Sequence, residues 1–342
     1  MARFGYCVPS FAMPGPRFFR TPNYTALSPS VTLDLARRAD QLGYDSLWLA
    51  DHLILGHDDA VLEGWTTLAA LAGSTQRARL GLLQQAHYFR HPALAAKMGA
   101  TLDQISGGRF IFFAAAAFGE TEHHAYGLPY PDEAEERIAA TVEGLELTLA
   151  LWQSESPVTF NGARYQTKDA VCHPRPVQLP HPPVWFGEAH PDTLAACARF
   201  GQGWNSLPVG RVALKQNLAA LAAACDQVGR DVDDIERSLE SQILIVEGRD
   251  QVREKLQAMA DLEPGKSPDP DVVPYLSGAS DNLPESITST WLIGTPEEIS
   301  QQLSSYIELG IDHFLLWFMD APQTHGLELF ADTVMPRFAT SA

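Results

Sequence analysis

The sequence is short of everything that would staple or anchor it. Its four cysteines, Cys7, Cys172, Cys197 and Cys225, stand far apart and form no Cys-x-x-Cys pair. That spacing excludes a zinc knuckle and a disulfide framework, and a reducing, cytoplasmic setting is the expectation. No apolar run approaches the roughly 20 residues that cross a bilayer. The opening MARFGYCVPSF lacks the basic start and apolar core of a secretory signal. Positive charge is scarce too: 24 basic residues stand against 42 acidic ones, a formal net charge of −18. No basic footprint for nucleic acid results, and nothing draws the chain to an anionic membrane. An anionic ligand would have to be met by local backbone N–H groups rather than by the global field.

Several motifs are missing as well. GxGxxG occurs nowhere, which argues against a dinucleotide fingerprint. No GxSxG elbow marks a serine hydrolase. His87 and His91 stand four apart, but Tyr88 follows His87 where a zinc protease carries Glu, and Pro92 follows His91 at once. His123 and His124 are adjacent and point in different directions, so no metal site is expected.

What is present is strand–helix alternation. FGYCVPSF (4–11) reads as a first strand, then Ser30 caps a helix with Val31, Leu35, Ala39 and Leu42 on one face and Gly43 as its stop. SLWLADH (46–52) and ARLGLLQQ (78–85) are strands two and three, followed by helices at 62–75 and from Pro92 to Gly107-Gly108. GGRFIFFAAAAFGETEHHAYG (107–127) holds strand four, and a long helix covers about 132–153. SPVTFNGARYQ (156–166) carries Asn161-Gly162 between β-formers, a hairpin signal, and HPRPVQLPHPP (173–183) is a connector. Strands five to seven are PVWFGEA (183–189), GWNSLP (203–208) and LESQILIVEG (239–248), with helices to about 200 and at 211–228. The Pro-, Asp- and Ser-rich stretch 261–288 reads as a second insertion. Thr295-Pro296-Glu297-Glu298 opens a capping-box helix that ends at Gly310 and feeds strand eight, HFLLWF (313–318). These segments predict one α/β domain over 1–342, a (β/α)8 TIM barrel with insertions at about 154–182 and 261–288. A doubly wound open sheet is the main alternative.

In such a barrel the chemistry sits where the strands end. Those ends offer Ser10 and Phe11, then Asp51-His52, then Gln84, Gln85 and His87. Strand four ends in Ala114 to Ala117, followed by Phe118, Glu120 and Glu122. Strand five ends in Gly187-Glu188-Ala189-His190, strand six in Trp204-Asn205, and strand eight in Trp317 and Phe318. Alanine is a poor strand former. A run of it at a strand end lets a flat ring lie against the backbone, although close packing on a neighbouring element explains it as well. His52 can exchange protons near neutral pH, or be tied to a loop carbonyl. The 187–190 turn precedes a helix whose free N–H groups could meet a phosphate, yet Glu188 and Asp192 oppose an anion there.

LARRADQLGYDSLWLADHLI, HPALAAKMGATLDQISGGRF, HPRPVQLPHPPVWFG, ARFGQGWN and GTPEEISQQLSSYIELGIDHFLLWF resemble the bacterial luciferase-like superfamily of flavin-dependent oxidoreductases, over roughly 2–335. ADH at 50–52 looks most like the branch that uses the deazaflavin coenzyme F-420 (F420). The resemblance implies a barrel with a flavin-type ring across the strand ends and His52 as acid/base. Asp51, Gln84, Gln85, Ala115, Ala116 and Glu122 would contact the cofactor, and Gly187, Glu188, Ala189 and His190 its phosphate. Ser10, Phe11, Phe118 and Trp317 would line a substrate pocket. Two departures stand out: FFAAAAFG replaces the GxGAGW of many relatives, and GEAHPDT replaces a glycine-rich loop followed by arginines. The expectation is a monooxygenase using reduced FMN from a partner flavin reductase on a largely apolar small molecule. F420-dependent hydride transfer is the alternative, and a non-catalytic ligand-binding or scaffold relative the third. The resemblance also implies a homodimer.

Overall fold

Short apolar strands separated by amphipathic helices leave both faces of every strand to be covered, and the chain covers them by closing the sheet on itself. The structure, a computed structural model, describes residues 2–13, 24–116, 119–263 and 265–339. Its first half runs β1 (Arg3–Cys7), α1 (Pro29–Leu42), β2 (Ser46–Leu49), α2 (Gly64–Ser74), β3 (Arg79–Leu82), α3 (Pro92–Ser106), β4 (Phe110–Ala114), α4 (Glu120–Ala125) and α5 (Ala134–Gln153). A hairpin of β5 (Val158–Asn161) and β6 (Gln166–Ala170) follows, then β7 (Val184–Gly187), α6 (Pro191–Phe200), β8 (Gly203–Ser206), α7 (Arg211–Gln227) and β9 (Glu236–Ile245). The remainder is α8 (Gln251–Ala260), α9 (Val273–Leu276), α10 (Glu285–Thr288), β10 (Leu292–Gly294), α11 (Pro296–Ile307), β11 (His313–Phe318), α12 (His325–Thr333) and α13 (Met335–Phe338).

Eight of these strands form a closed parallel barrel in the order β1-β2-β3-β4-β7-β8-β9-β11, with β11 pairing back to β1. The eight are those the sequence predicts. Several elements were not predicted, among them the short helices α4, α9, α10, α12 and α13, the strand β10 and the helix α8. The short β10 pairs with Ile243–Ile245 of β9, beyond the Glu236–Leu239 stretch that pairs with β8. Helix α8 fills the gap before the second insertion, burying Val252, Leu256 and Met259 at helical spacing. Helix α1 starts two residues earlier than expected: Ser28 rather than Ser30 is its cap, because Pro29 takes the first helical position. Thr295 and Glu298 form the predicted capping box of α11. Both insertions have structure of their own, the antiparallel β5–β6 hairpin and the one-turn helices α9 and α10. No helix among the described residues is long and apolar enough to cross a membrane.

Strand residues alternate between two cores. One set, including Leu47, Leu49, Leu80, Leu82 and Phe112, packs outward against the helices. The other, Trp48, Ile111, Phe113, Trp185 and Leu315 among it, fills the barrel lumen. Trp48 packs on Trp185 at 5.1 Å between ring centroids. Gly203 carries no side chain because a Cβ there would collide with the Trp185 indole. The lumen is plugged at its N-terminal end by first residues of strands. His313 donates its Nδ1 proton to Glu236 at 2.6 Å and accepts at Nε2 from the Ser46 hydroxyl at 2.8 Å, which in turn accepts from Trp48 Nε1 at 2.8 Å. Arg79 meets both Glu236 oxygens at 3.0 and 2.7 Å, and Arg3 adds a contact at 2.8 Å.

In this network a neutral His313 leaves every group satisfied. Burial holds its imidazole below the usual range, with Glu236 pulling the other way but not prevailing. Burial alone would raise the Glu236 carboxyl, but the bonds from His313 and Arg79 outweigh it and hold it far below the usual range. Both groups therefore bind fewer protons in the folded chain than in the unfolded one, and stability falls on acidification. The decline should begin below about pH 6.5, the ordinary histidine value. His313→Gln should remove that first part of the decline. Breaking the pair in either Glu236→Gln or His313→Gln should cost about 3–5 kcal/mol, read by urea unfolding across pH. An unchanged midpoint would show that the plug is dispensable.

Candidate active site

Above the tryptophans the lumen opens into a cavity of about 260 Å³. Phe11 beyond β1, His52 and Leu55 beyond β2, Leu83 and Gln84 beyond β3, Leu207 beyond β8, Glu240 in β9 and Trp317 in β11 line it, with Ala50, Asp51 and Ala86 between them. Phe11 meets the Trp317 ring edge-on at 6.1 Å. The polar groups converge on an otherwise apolar chamber, the usual form of a small-molecule site.

His52 and Asp51 leave the end of β2 in opposite directions. His52 Nδ1 lies 2.8 Å from Glu122 Oε1, and the other Glu122 oxygen accepts the N–H groups of Leu53 at 2.6 Å and Ile54 at 3.1 Å. Burial would raise the Glu122 carboxyl, but the hydrogen bond from His52 and those two N–H groups hold it below the usual range. An ionised carboxylate can only accept, so the ring proton sits on Nδ1 and Nε2 remains the nitrogen that can take another. Glu122 was expected against a cofactor. Both its oxygens are instead committed to the chain, and its place is to position His52. Asp51 also differs from expectation. Arg90 grips it with two bonds of 2.8 and 2.9 Å, and Ala86 N–H adds a third at 2.9 Å. It holds the ends of β2 and β3 together and has little left for a ligand.

Gln84 is the polar group most open to a ligand. Its amide N and O are both shielded from solvent and have no hydrogen-bond partner among the described residues. The peptide bond before it is cis. Its amide lies on Gly187, where a Cβ would displace it. Gln85 is buried and lines a cleft of about 10 Å³ behind the cavity, together with Ala114 and Ala115. That cleft has room for about one water. Ala115 bridges to Ala86 and accepts the His87 N–H at 3.2 Å through its backbone, and its small side chain is buried in the lumen core. Ala116 is half-buried and does not line the cavity, and Phe118 lies outside the described residues. Ser10 is fully buried behind Phe11 and does not reach the cavity.

The expected phosphate turn is poorly made for an anion. Gly187 ends β7, Glu188 follows at φ 71° with its carbonyl bound by Trp204 Nε1 at 2.7 Å, and Ala189 is half-buried. His190 caps α6, accepting the Asp192 N–H at 3.3 Å, and Pro191 has no N–H to give. Burial raises the Glu188 carboxyl. None of the four residues lines the cavity. His87 serves packing. Its Nε2 is hydrogen-bonded with the Tyr165 hydroxyl at 2.6 Å, tying the β5–β6 insertion to the barrel, and burial lowers its imidazole to about 4. Sequence reasoning missed Arg90, Leu55, Leu207 and Glu240. Glu240 had a readable signal, a carboxyl inside an apolar barrel strand; the loop residues had none.

The family model described as luciferase-like monooxygenase matches residues 10–313. An F420-dependent glucose-6-phosphate dehydrogenase from Beutenbergia cavernae is 30% identical over 315 residues, covering 87% of this chain and 90% of the relative. The solved F420-dependent secondary alcohol dehydrogenase in complex with an F420-acetone adduct shares the fold at a TM-score of 0.77 and 23% identity, covering 99% of each chain. A long-chain alkane monooxygenase shares it at a TM-score of 0.78 and 16% identity, covering 98% of this chain and 90% of that one.

Glu122→Gln keeps the size of the side chain and removes its charge. It should cost about 1–3 kcal/mol and accelerate hydrogen exchange at the Leu53 and Ile54 amides. Because the folded Glu122 carboxyl sits below its ordinary value, the wild-type contribution is complete above about pH 4.5 and lost as pH falls. The variant should lose that acid-side slope. Unaltered exchange at both amides would assign the loop's order to other contacts.

Proposed function

The chain belongs to the luciferase-like monooxygenase family, and on that premise we propose that it is an F420-dependent oxidoreductase exchanging a hydride with a small, largely apolar alcohol or its carbonyl product. The observation that carries the reading is the His52–Glu122 pair on the wall of an apolar cavity. Oxidation of an alcohol removes a hydride from carbon and a proton from oxygen, so a base must stand beside the hydroxyl. His52 Nε2 is that base, and Glu122 fixes the tautomer that leaves it available. The names of the relatives support the deazaflavin over reduced FMN.

The residues suit a flat ring with donors and acceptors on its edge. The Gln84 amide has a buried donor and a buried acceptor with no partner among the described residues. Leaving both unsatisfied costs free energy that a ring edge would return. Gln84 would hold that edge, with Ala50 and Ala86 allowing close approach beside it. Bound there, the deazaflavin supplies a carbon that accepts or returns the hydride. The chain excludes water from the reacting atoms with Phe11, Leu55, Leu83, Leu207 and Trp317. These same side chains receive the apolar body of the substrate.

Fluorescence titrations with F420 and with oxidised and reduced FMN test the reading. F420 should bind, and His52→Ala should lower turnover by roughly 10²–10⁴-fold while leaving F420 affinity nearly unchanged. Tight binding of reduced FMN without F420 would replace hydride transfer by monooxygenation. Binding of neither would sink the enzyme reading.

A further inference from the structure

We propose that Gly187 is a positioning residue for ligand binding: it is the seat of the Gln84 amide, and that seat holds a donor and an acceptor ready for a ligand edge carrying an N–H beside a C=O. The inference deepens the proposed function and rests on it for naming F420 as the ligand. The residues next to three strand glycines face the helices: Leu80 and Leu82 around Gly81, Phe186 before Gly187, and Trp204 after Gly203. The glycines therefore face the lumen. At each one a neighbouring side chain takes the space of the missing Cβ. Trp48 takes it at Gly81, Trp185 at Gly203, and the Gln84 amide at Gly187. The first two occupants are indoles of the buried lumen core. The third is polar and lines the cavity.

A Cβ on Gly187 would stand 2.8 Å from the amide carbon of Gln84 and 3.1 Å from its oxygen, and closer still to its nitrogen. The whole amide group thus rests on the Gly187 backbone. Gly187 belongs to β7 and is not left-handed, so its backbone conformation would accept alanine; what it lacks is room. Gly187 does not itself line the cavity, so it acts on a ligand through Gln84. The amide N and O are shielded from solvent and have no hydrogen-bond partner among the described residues. Packing rather than hydrogen bonding holds the group, and both bonds remain to be made. A carboxamide offers C=O and N–H side by side, so its complement is a cyclic lactam or imide, which meets it with two parallel bonds. Because the amide is in place beforehand, little ordering remains when the ligand arrives. A methyl at position 187 would push the far end of the side chain off its seat and misplace both groups.

Fluorescence titrations of the full chain use F420 and lumichrome, a flat cyclic imide without a phosphate tail. Gln84→Ala should weaken the binding of both about 3–10-fold, and Gly187→Ala by a similar factor. The double variant should bind no more weakly than Gln84→Ala, since the methyl acts only through the amide. In the free protein, Gly187→Ala should move the Gln84 side-chain N–H pair in a proton–nitrogen correlation spectrum, a pair identified by its loss in Gln84→Ala. An unmoved pair would overturn the proposal, as would losses that add in the double variant or failure of lumichrome to bind the wild type. If Gly187→Ala does not fold, the double variant should, because removal of the amide gives the methyl its space; failure of both to fold would also overturn it. F420 binding with additive losses would leave the proposed function standing without this inference. Lumichrome binding that depends on Gln84, with no binding of F420, would sink the proposed function and keep the seat.

Discussion

A closed barrel of eight strands encloses a lumen just wide enough for side chains, so whatever fills it decides where a cavity can exist. Here the filling is layered. The Glu236–His313–Ser46 network plugs the N-terminal end, and its last donor is the indole of Trp48. Trp48, Phe113 and Trp185 occupy the middle. Aromatic side chains of this size bury on the order of 150–250 Å² each, so the middle layer fills the lumen beneath the site. Among the described residues, the space left in the lumen lies at the C-terminal mouth, between Phe11 and Trp317. The site's position thus follows from the order of large and polar residues along the strands, starting at the plug.

Two neighbouring residues then divide the work at that mouth. Just beyond β2, Asp51 and His52 turn to opposite sides. Asp51 turns toward Arg90 from the segment beyond β3, and His52 turns toward Glu122 from α4. Burying such charges is costly unless hydrogen bonds meet the remaining lone pairs. Ala86 N–H does this for Asp51, and Leu53 and Ile54 N–H do it for Glu122. The loop that carries His52 is therefore held at three points by one carboxylate. An imidazole held in this way needs no search for its orientation, which is what the proposed proton transfer requires.

The fold was legible because its signals were local and repeated. Apolar strands of fixed length, the Gly43 and Gly107 stops and the Thr295–Glu298 capping box each mark a boundary within a few residues. The site was legible only in part. His52, Gln84, Phe11 and Trp317 could be found because strand ends in a barrel converge, and they do share one cavity. What could not be read was direction. Asp51 and Glu122 are acids at the right address, and only the three-dimensional arrangement shows them turned into the chain. The alanines after Phe113 were open to two explanations, and the burial of Ala115 in the lumen core fits packing. The objection to the 187–190 turn as an anion cradle was already visible in its residues, Glu188, Pro191 and Asp192. Glu240 was passed over because it lies within its strand rather than at the end.

The acidity of the chain reaches into this site and bears on how the proposed reaction would run. When His52 takes a proton from a substrate hydroxyl, a positive charge develops on the imidazole within an apolar chamber. In water, solvent would have to reorganise around that charge. Here the Glu122 carboxylate is ionised and fixed at 2.8 Å before the proton moves, so the compensating charge is already in place. The carboxylate beside His52 thus favours the one ion that the proposed chemistry creates.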